Sequence, residues 1–250
     1  MLPRIALTLI ALLAMLPVAF AQSDVARSWH KAVVYLPGSA RTTTIDKIVV
    51  EKPMAAAIFM HGCAGIDRDG RAWSAMLAKL GLLVVLPDSL ARTDRKPSCD
   101  VVNKKGGLFP PVHGMRLDEI AHAAEQVRKQ PWFDGKNLFL MGYSEGAVAA
   151  VRSKLSGFRG VIATSWTCTN SNVPAFDGVF TPAETPVLTM AHADDPWFKA
   201  PNLKGSCADK FAGRKNASHV NVPGPGHGTY DSEAAREAAA AFIRANFAGR

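Results

Sequence analysis

The stretch that decides the fold is Leu138-Phe139-Leu140-Met141-Gly142-Tyr143-Ser144-Glu145-Gly146-Ala147-Val148. Four apolar residues in a row read as a strand buried on both faces. The residues from Glu145 onward, with Ala147, Val148 and Val151, read as a helix. Between them stands G-x-S-x-G, here GYSEG. A serine at the tip of a strand-to-helix turn projects its hydroxyl from the carboxyl edge of a sheet, where a helix N-terminus favours negative charge. Gly142 and Gly146 are the residues such a turn needs, because strand and helix backbones must nearly touch. Ser144 is therefore the candidate nucleophile.

The surrounding chain repeats the same alternation. Two β-like stretches, Lys31 to Leu36 and Thr42 to Glu51, precede a continuous apolar run, Ala55 to Met60, which ends in His61-Gly62-Cys63-Ala64-Gly65. Arg71 to Leu80 has helical spacing through Trp73, Met76, Leu77 and Leu80, with Gly81 closing it. Leu82 to Leu86 is another buried strand, stopped by Pro87-Asp88, and a loop rich in Lys, Pro and Gly runs from Ser89 to about Gly114. Further on come a helix over Met115 to Lys129, strands at 161–164, 187–190 and 220–222, and a closing helix over Ser232 to Phe247. Strands alternating with helices at this spacing predict an α/β fold with a mainly parallel sheet covered on both faces, and ligands binding beyond the carboxyl ends of the strands.

Of the seven histidines, position selects one as base. His227 sits in Pro223-Gly224-Pro225-Gly226-His227-Gly228, after the last strand and before the last helix, where the chain order Ser, acid, His places it. The acid should follow the strand at 187–190, where Ala191-His192-Ala193-Asp194-Asp195 offers two carboxylates. Asp194 is favoured because a small residue stands three positions before it. Asp195 is the alternative, expected otherwise to cap the following segment. His192 reads as structural or substrate-facing. The oxyanion of an acyl-transfer intermediate needs two backbone N–H donors. Glu145, next to the nucleophile, and Cys63, in HGCAG, are the candidates.

The first residues look like an address. Arg4 is followed by an apolar run of about 16 residues containing Pro17, and Ala19-Phe20-Ala21 has the small-x-small form of a signal peptidase site. Residues 1–21 are expected to be removed, so that the mature chain starts at Gln22 as one domain in the periplasm or outside the cell. The run is short for a span of roughly 20 residues, so no stable membrane insertion is expected after cleavage. Arg4 is the one charged residue removed, which takes the formal charge from +8 to +7. The basic residues are scattered, which argues against a nucleic-acid partner. Four cysteines, at 63, 99, 168 and 207, lie in the exported part. An even number in an oxidising compartment suggests two disulfides, with three pairings open. None forms a CxxC or a Cys/His cluster, so zinc is not expected.

HGCAG, Pro87-Asp88-Ser89, GYSEG, ADDPW and GPGHG follow one another across nearly the whole mature chain, and together they resemble the dienelactone hydrolase family, particularly its exported bacterial members. The resemblance implies an eight-stranded, mostly parallel α/β-hydrolase domain with no large cap and no cofactor, with Ser144, Asp194 and His227 as triad and Cys63 and Glu145 at the oxyanion. It also implies the bridges Cys63–Cys99 and Cys168–Cys207. This sequence has serine where true dienelactone hydrolases have cysteine, which shifts the expected substrate to a small-molecule carboxylic ester or lactone. A peptidase or amidase with the same triad, or a binding protein without turnover, are the rival readings. The 89–114 loop is the one sizeable candidate for a rim. Oligomeric state is not legible in the sequence.

Overall fold

The computed structural model describes residues 24–39 and 41–249; the expected leader at 1–21 and Gln22 lie outside the described residues. The described residues form ten strands: β1 (Val33–Tyr35), β2 (Thr42–Thr43), β3 (Met54–Met60), β4 (Leu83–Leu86), β5 (Cys99–Asp100), β6 (Lys105–Gly106), β7 (Phe133–Tyr143), β8 (Gly160–Thr164), β9 (Val187–His192) and β10 (Ala217–Val222). Five helices join them: α1 (Asp24–His30), α2 (Arg68–Lys79), α3 (Val112–Arg128), α4 (Glu145–Arg152) and α5 (Glu233–Ala245). Eight strands form one sheet in the order β10-β9-β8-β7-β3-β4-β1-β2, parallel except where β1 meets β4 and β2. The expected eight-stranded, mostly parallel sheet is thus present. β5 and β6 form a separate small hairpin.

The two-residue period of the strands divides the core. In β3, Ala56, Ile58 and Met60 face Trp29 of α1, Ile120 and Val127 of α3, and Ala149 and Ala150 of α4. Ala55, Ala57 and Phe59 of the same strand face Trp73 and Leu77 of α2 and Ala235, Ala239 and Ile243 of α5. Continuous apolar strands with helices on both faces follow from a parallel sheet that exposes neither side to water. No helix among the described residues is long and apolar enough to cross a membrane.

Several boundaries differ from the sequence expectation, and two of them, together with one unexpected helix, bear on how the core is covered. The stretch Thr42 to Glu51 pairs only at Thr42–Thr43 and then turns through a short 3-10 segment, Ile45–Lys47. Ile45, Ile48 and Val50 pack against the core cluster instead of continuing the edge strand. Helix α3 begins at Val112, three residues before the expected Met115, directly after Pro110-Pro111. Helix α1 was not anticipated at all; it packs Trp29 into the core and accepts, through the Ser28 carbonyl, the Asp88 N–H.

The chain runs from β3 to β4 on one side and later returns to place β7 on the other side of β3. That reversal is the topological switch point of the sheet, and a crevice opens where the loops after β3 and β7 diverge. Met60 lies in register with Gly142, so HGCAG and GYSEG leave the sheet side by side.

Candidate active site

The elbow is strained as its geometry requires. Ser144 has φ 54° and ψ −118°, a backbone conformation unfavourable for a residue with a Cβ, and α4 starts at the next residue. A Cβ at Gly142 would stand 2.2 Å from the Gly146 carbonyl oxygen, and one at Gly146 would stand 2.0 Å from that of Met60. Strand, helix and neighbouring strand meet backbone to backbone, so only glycine fits at both positions.

His227 reaches Ser144 from the loop after β10. Its Nε2 lies 2.8 Å from Ser144 Oγ and its Nδ1 lies 2.7 Å from Asp195 Oδ2. A neutral imidazole satisfies both contacts in one tautomer: Nδ1–H donates to the carboxylate and Nε2 accepts the serine proton. The carboxylate in contact is Asp195, which corrects the expectation of Asp194. Beyond β9 the chain turns, leaving Asp194 exposed while Asp195 is 4% exposed and directed inward. Adjacent residues in the turn face opposite ways, so one of the two meets His227. Asp195 also performs the capping duty expected of it, since its Oδ1 accepts the Trp197 N–H at 2.9 Å.

The His227 ring is held on several sides. Trp197 stacks on it at 5.1 Å between centroids, and Tyr143 and Phe198 approach at 5.4 and 5.9 Å. Burial pushes the Tyr143 phenol well above its usual range, keeping it neutral beside the imidazole. The Ser165 hydroxyl donates to the His227 carbonyl. His192, left open as structural or substrate-facing, straddles the same loop. Its Nδ1 lies 2.9 Å from the Gly224 carbonyl and its Nε2 3.1 Å from that of Gly228. A neutral ring donates to one of these carbonyls; a protonated ring donates to both.

The HGCAG loop is fixed by its histidine. His61 is fully buried; its Nδ1 faces the Gly62 carbonyl at 2.6 Å and its Nε2 accepts the Ser89 N–H at 3.0 Å. Burial holds its pKa well below the ordinary histidine value, with Arg116 adding to the effect, so the ring stays neutral in that one tautomer. The Ser89 hydroxyl donates to Glu119 (2.7 Å), which also pairs with Arg116 (2.8 Å), and Arg116 donates to the His61 carbonyl (2.6 Å). The Pro87-Asp88-Ser89 motif thus anchors the loop after β3 to α3.

The Glu145 side chain does more than its predicted backbone role indicated. It accepts from Arg95 (2.8 Å) and from the Ser98 hydroxyl (2.5 Å), and Arg116 lies 3.8 Å away. Burial by itself would raise its pKa, but Arg116, Arg95 and the Ser98 hydrogen bond together hold the carboxyl below its ordinary value. The disulfide Cys63–Cys99 joins the same segment to HGCAG, and Cys168–Cys207 joins two further loops. Both bridges implied by the resemblance are therefore present.

Ser144, Glu145 and Cys63 share the wall of one cavity of about 450 Å³. Its rim is not built by the 89–114 loop alone, as expected. Trp166, Asn170, Val173 and Phe176 come from the loop after β8, and Trp197, Phe198 and Leu203 from that after β9. These loops span 165–186 and 193–216, each about as long as the 89–114 loop, and the Cys168–Cys207 bridge joins them in one wall. Among the described residues no group of three His, Cys, Asp or Glu side chains is placed to hold a metal ion.

Comparison with solved structures agrees with this architecture. A protein assigned as a dienelactone hydrolase from Klebsiella pneumoniae is 15% identical, covering 88% of this chain and 92% of that one at a TM-score of 0.58. XC6422 from Xanthomonas campestris, an α/β serine hydrolase without a lid, is 16% identical over 88% of this chain and 90% of its own, at 0.55. Est1E from Butyrivibrio proteoclasticus is 14% identical over 87% and 94%, at 0.57. No protein-family model matches the sequence. No curated protein matches it either. The chain has the α/β-hydrolase fold, which it shares with these structures, and no large cap is present among the described residues.

Proposed function

We propose that the protein is a serine hydrolase that cleaves a carboxylic ester or lactone through an acyl-enzyme. The observation that carries this reading is His227 hydrogen-bonded at once to Ser144 Oγ and to Asp195. Ser144 attacks the carbonyl carbon as Nε2 of His227 takes its proton. The carbonyl oxygen becomes an oxyanion facing the Cys63 and Glu145 N–H groups, aided by the N-terminus of α4. His227 then protonates the leaving alcohol, and a water deprotonated by the same ring releases the acid. Asp195 holds the tautomer and stabilises the imidazolium. Esterases and hydrolases among the structural neighbours support the reaction class. The apolar leader with its small-x-small site and the two disulfides support export of a single domain, residues 22–250, to the periplasm or beyond.

A fluorophosphonate probe tests the central step. The wild-type protein should be labelled covalently and should hydrolyse short p-nitrophenyl esters, and Ser144→Ala should do neither. Labelling that persists in Ser144→Ala would remove the proposal.

A further inference from the structure

The cavity at Ser144 is chemically uneven. Trp166, Phe176, Trp197 and Phe198 supply four aromatic rings to its wall. Flat apolar surface of this kind is matched best by another ring, which stacks or meets edges in addition to leaving water. Glu145 is the one charged residue on the wall, and its carboxylate is already engaged by Arg95 and Ser98. The guanidinium of Arg95 is shared between Glu145, Ser98 and the Ser89 hydroxyl. No lining residue therefore offers a free cation, although the chain as a whole is basic; the Arg152 guanidinium lies behind the Phe176 ring, 4.0 Å from its centroid, so an anionic group entering here would lose its hydration without direct contact with a counter-charge.

Besides the buried Trp166 indole N–H, which has no partner and can only donate, a second polar group stands out on this wall. His113, in the first turn of α3, meets the Phe176 ring edge-on at 4.6 Å. Neither of its ring nitrogens has a hydrogen-bond partner among the described residues. Burial lowers its pKa, opposed by Glu145 and reinforced by Arg152 and Arg95, so the ring is neutral at physiological pH. A neutral imidazole offers one donor and one acceptor and no charge.

We infer that the substrate is an uncharged ester bearing an aromatic ring with a neutral hydrogen-bonding substituent such as a hydroxyl, the ring lying among the four aromatic side chains and the substituent meeting His113, which is thereby a specificity-determining residue. This deepens the serine-hydrolase reading and rests on it. Apolar walls alone discriminate weakly between a ring and its hydroxylated form, whereas a polar group waiting without a partner favours the form that can satisfy it.

The test is kcat/KM for methyl esters of phenylpropanoic acid, its meta- and para-hydroxyphenyl analogues, its para-carboxyphenyl analogue and cyclohexylpropanoic acid. One hydroxyphenyl ester should exceed the phenyl ester by about tenfold, the value of one hydrogen bond to an otherwise unpaired group. The phenyl ester should exceed the cyclohexyl ester, and the carboxyphenyl ester should be the poorest. In His113→Phe the hydroxyphenyl-to-phenyl ratio should fall to about one, and His113→Gln should retain part of it. The ratio is read within each variant, so a general loss of activity does not affect it. A best carboxyphenyl ester, equal phenyl and cyclohexyl rates, no hydroxyl preference, or a preference that survives in His113→Phe would each overturn the inference. If the fluorophosphonate labels Ser144 and p-nitrophenyl acetate is cleaved, such a failure belongs to the inference alone. If neither happens, the serine-hydrolase reading fails with it.

Discussion

Replacing Asp195 by asparagine separates the geometry described here from the neighbouring possibility. The carboxylate accepts two hydrogen bonds, from His227 Nδ1 at 2.7 Å and from the Trp197 N–H at 2.9 Å. Asparagine has the same shape but one acceptor. If its oxygen keeps the Trp197 N–H, its NH2 group faces Nδ1, which can answer only by accepting. The imidazole proton then resides on Nε2, pointing at Ser144 Oγ, and the base has lost the lone pair it needs. The negative charge that stabilises the imidazolium is lost as well. Tautomer reversal of this kind costs about 10³–10⁴ in turnover, or roughly 4–5.5 kcal/mol of barrier. Asp194 is exposed and has no hydrogen bond or ion pair among the described residues, so Asp194→Asn should change the rate by less than about threefold. The assay is kcat/KM on a p-nitrophenyl ester at neutral pH, with thermal unfolding to show that both variants fold. An Asp195→Asn protein keeping more than about a tenth of wild-type activity, or a larger loss in Asp194→Asn, would refute the assignment of the acid.

Two further outcomes follow from the loops that frame the site. Glu145→Gln removes the charge facing Arg95 and Arg116 inside a buried network, and should lower stability by about 2–4 kcal/mol in urea at neutral pH. The folded state holds this carboxyl below its ordinary pKa of 4.5, so its contribution is complete above that value and is lost as pH falls through the folded one. The stability gap between wild type and variant should therefore close in the acid range, and a gap that persists there would contradict the origin given for it. Removing the Cys63–Cys99 bridge by Cys63→Ser with Cys99→Ser opens a loop with a sequence separation of 36, worth about 3–4 kcal/mol in denaturant. Because that bridge holds the HGCAG loop, kcat/KM should fall further than in the matching double variant at Cys168 and Cys207; equal effects would show that Cys63 needs no such support.

What was legible in the sequence was whatever depends on the backbone or on continuous runs of one residue type. The apolar runs ending at Met60, Leu86 and Met141 are buried on both faces of the sheet, so their composition alone identifies them as central strands. The glycines of GYSEG are required by contacts of 2.2 and 2.0 Å that any side chain would violate, and so the elbow can be read without coordinates. The stretch after Thr43 misled because Ile45, Ile48 and Val50 carry an apolar pattern that suits packing on a core as well as pairing in a sheet. Choosing between Asp194 and Asp195 depends on which way a turn points after β9, and neighbouring carboxylates are chemically identical until that turn exists.

The same division accounts for the site as a whole. Ser144 and His227 stand in rigid, glycine-marked turns whose sterics are local, and both were identifiable. The partners of the Glu145 side chain, Arg95 and Ser98, lie 50 and 47 residues away in the loop after β4, two strands from β7, and the Cys63–Cys99 bridge ties that loop to the one after β3, which runs beside Glu145. The aromatic wall is dispersed in the same way over loops after β8 and β9, with no periodicity to announce it, and it is assembled by the Cys168–Cys207 bridge. Catalytic chemistry is thus encoded in short motifs that sterics make conspicuous, whereas the surface that would select a substrate is encoded in pairwise contacts between distant loops. If the proposed ester hydrolysis holds, substitutions in those loops should change which ester is accepted without touching the motifs by which the fold is recognised.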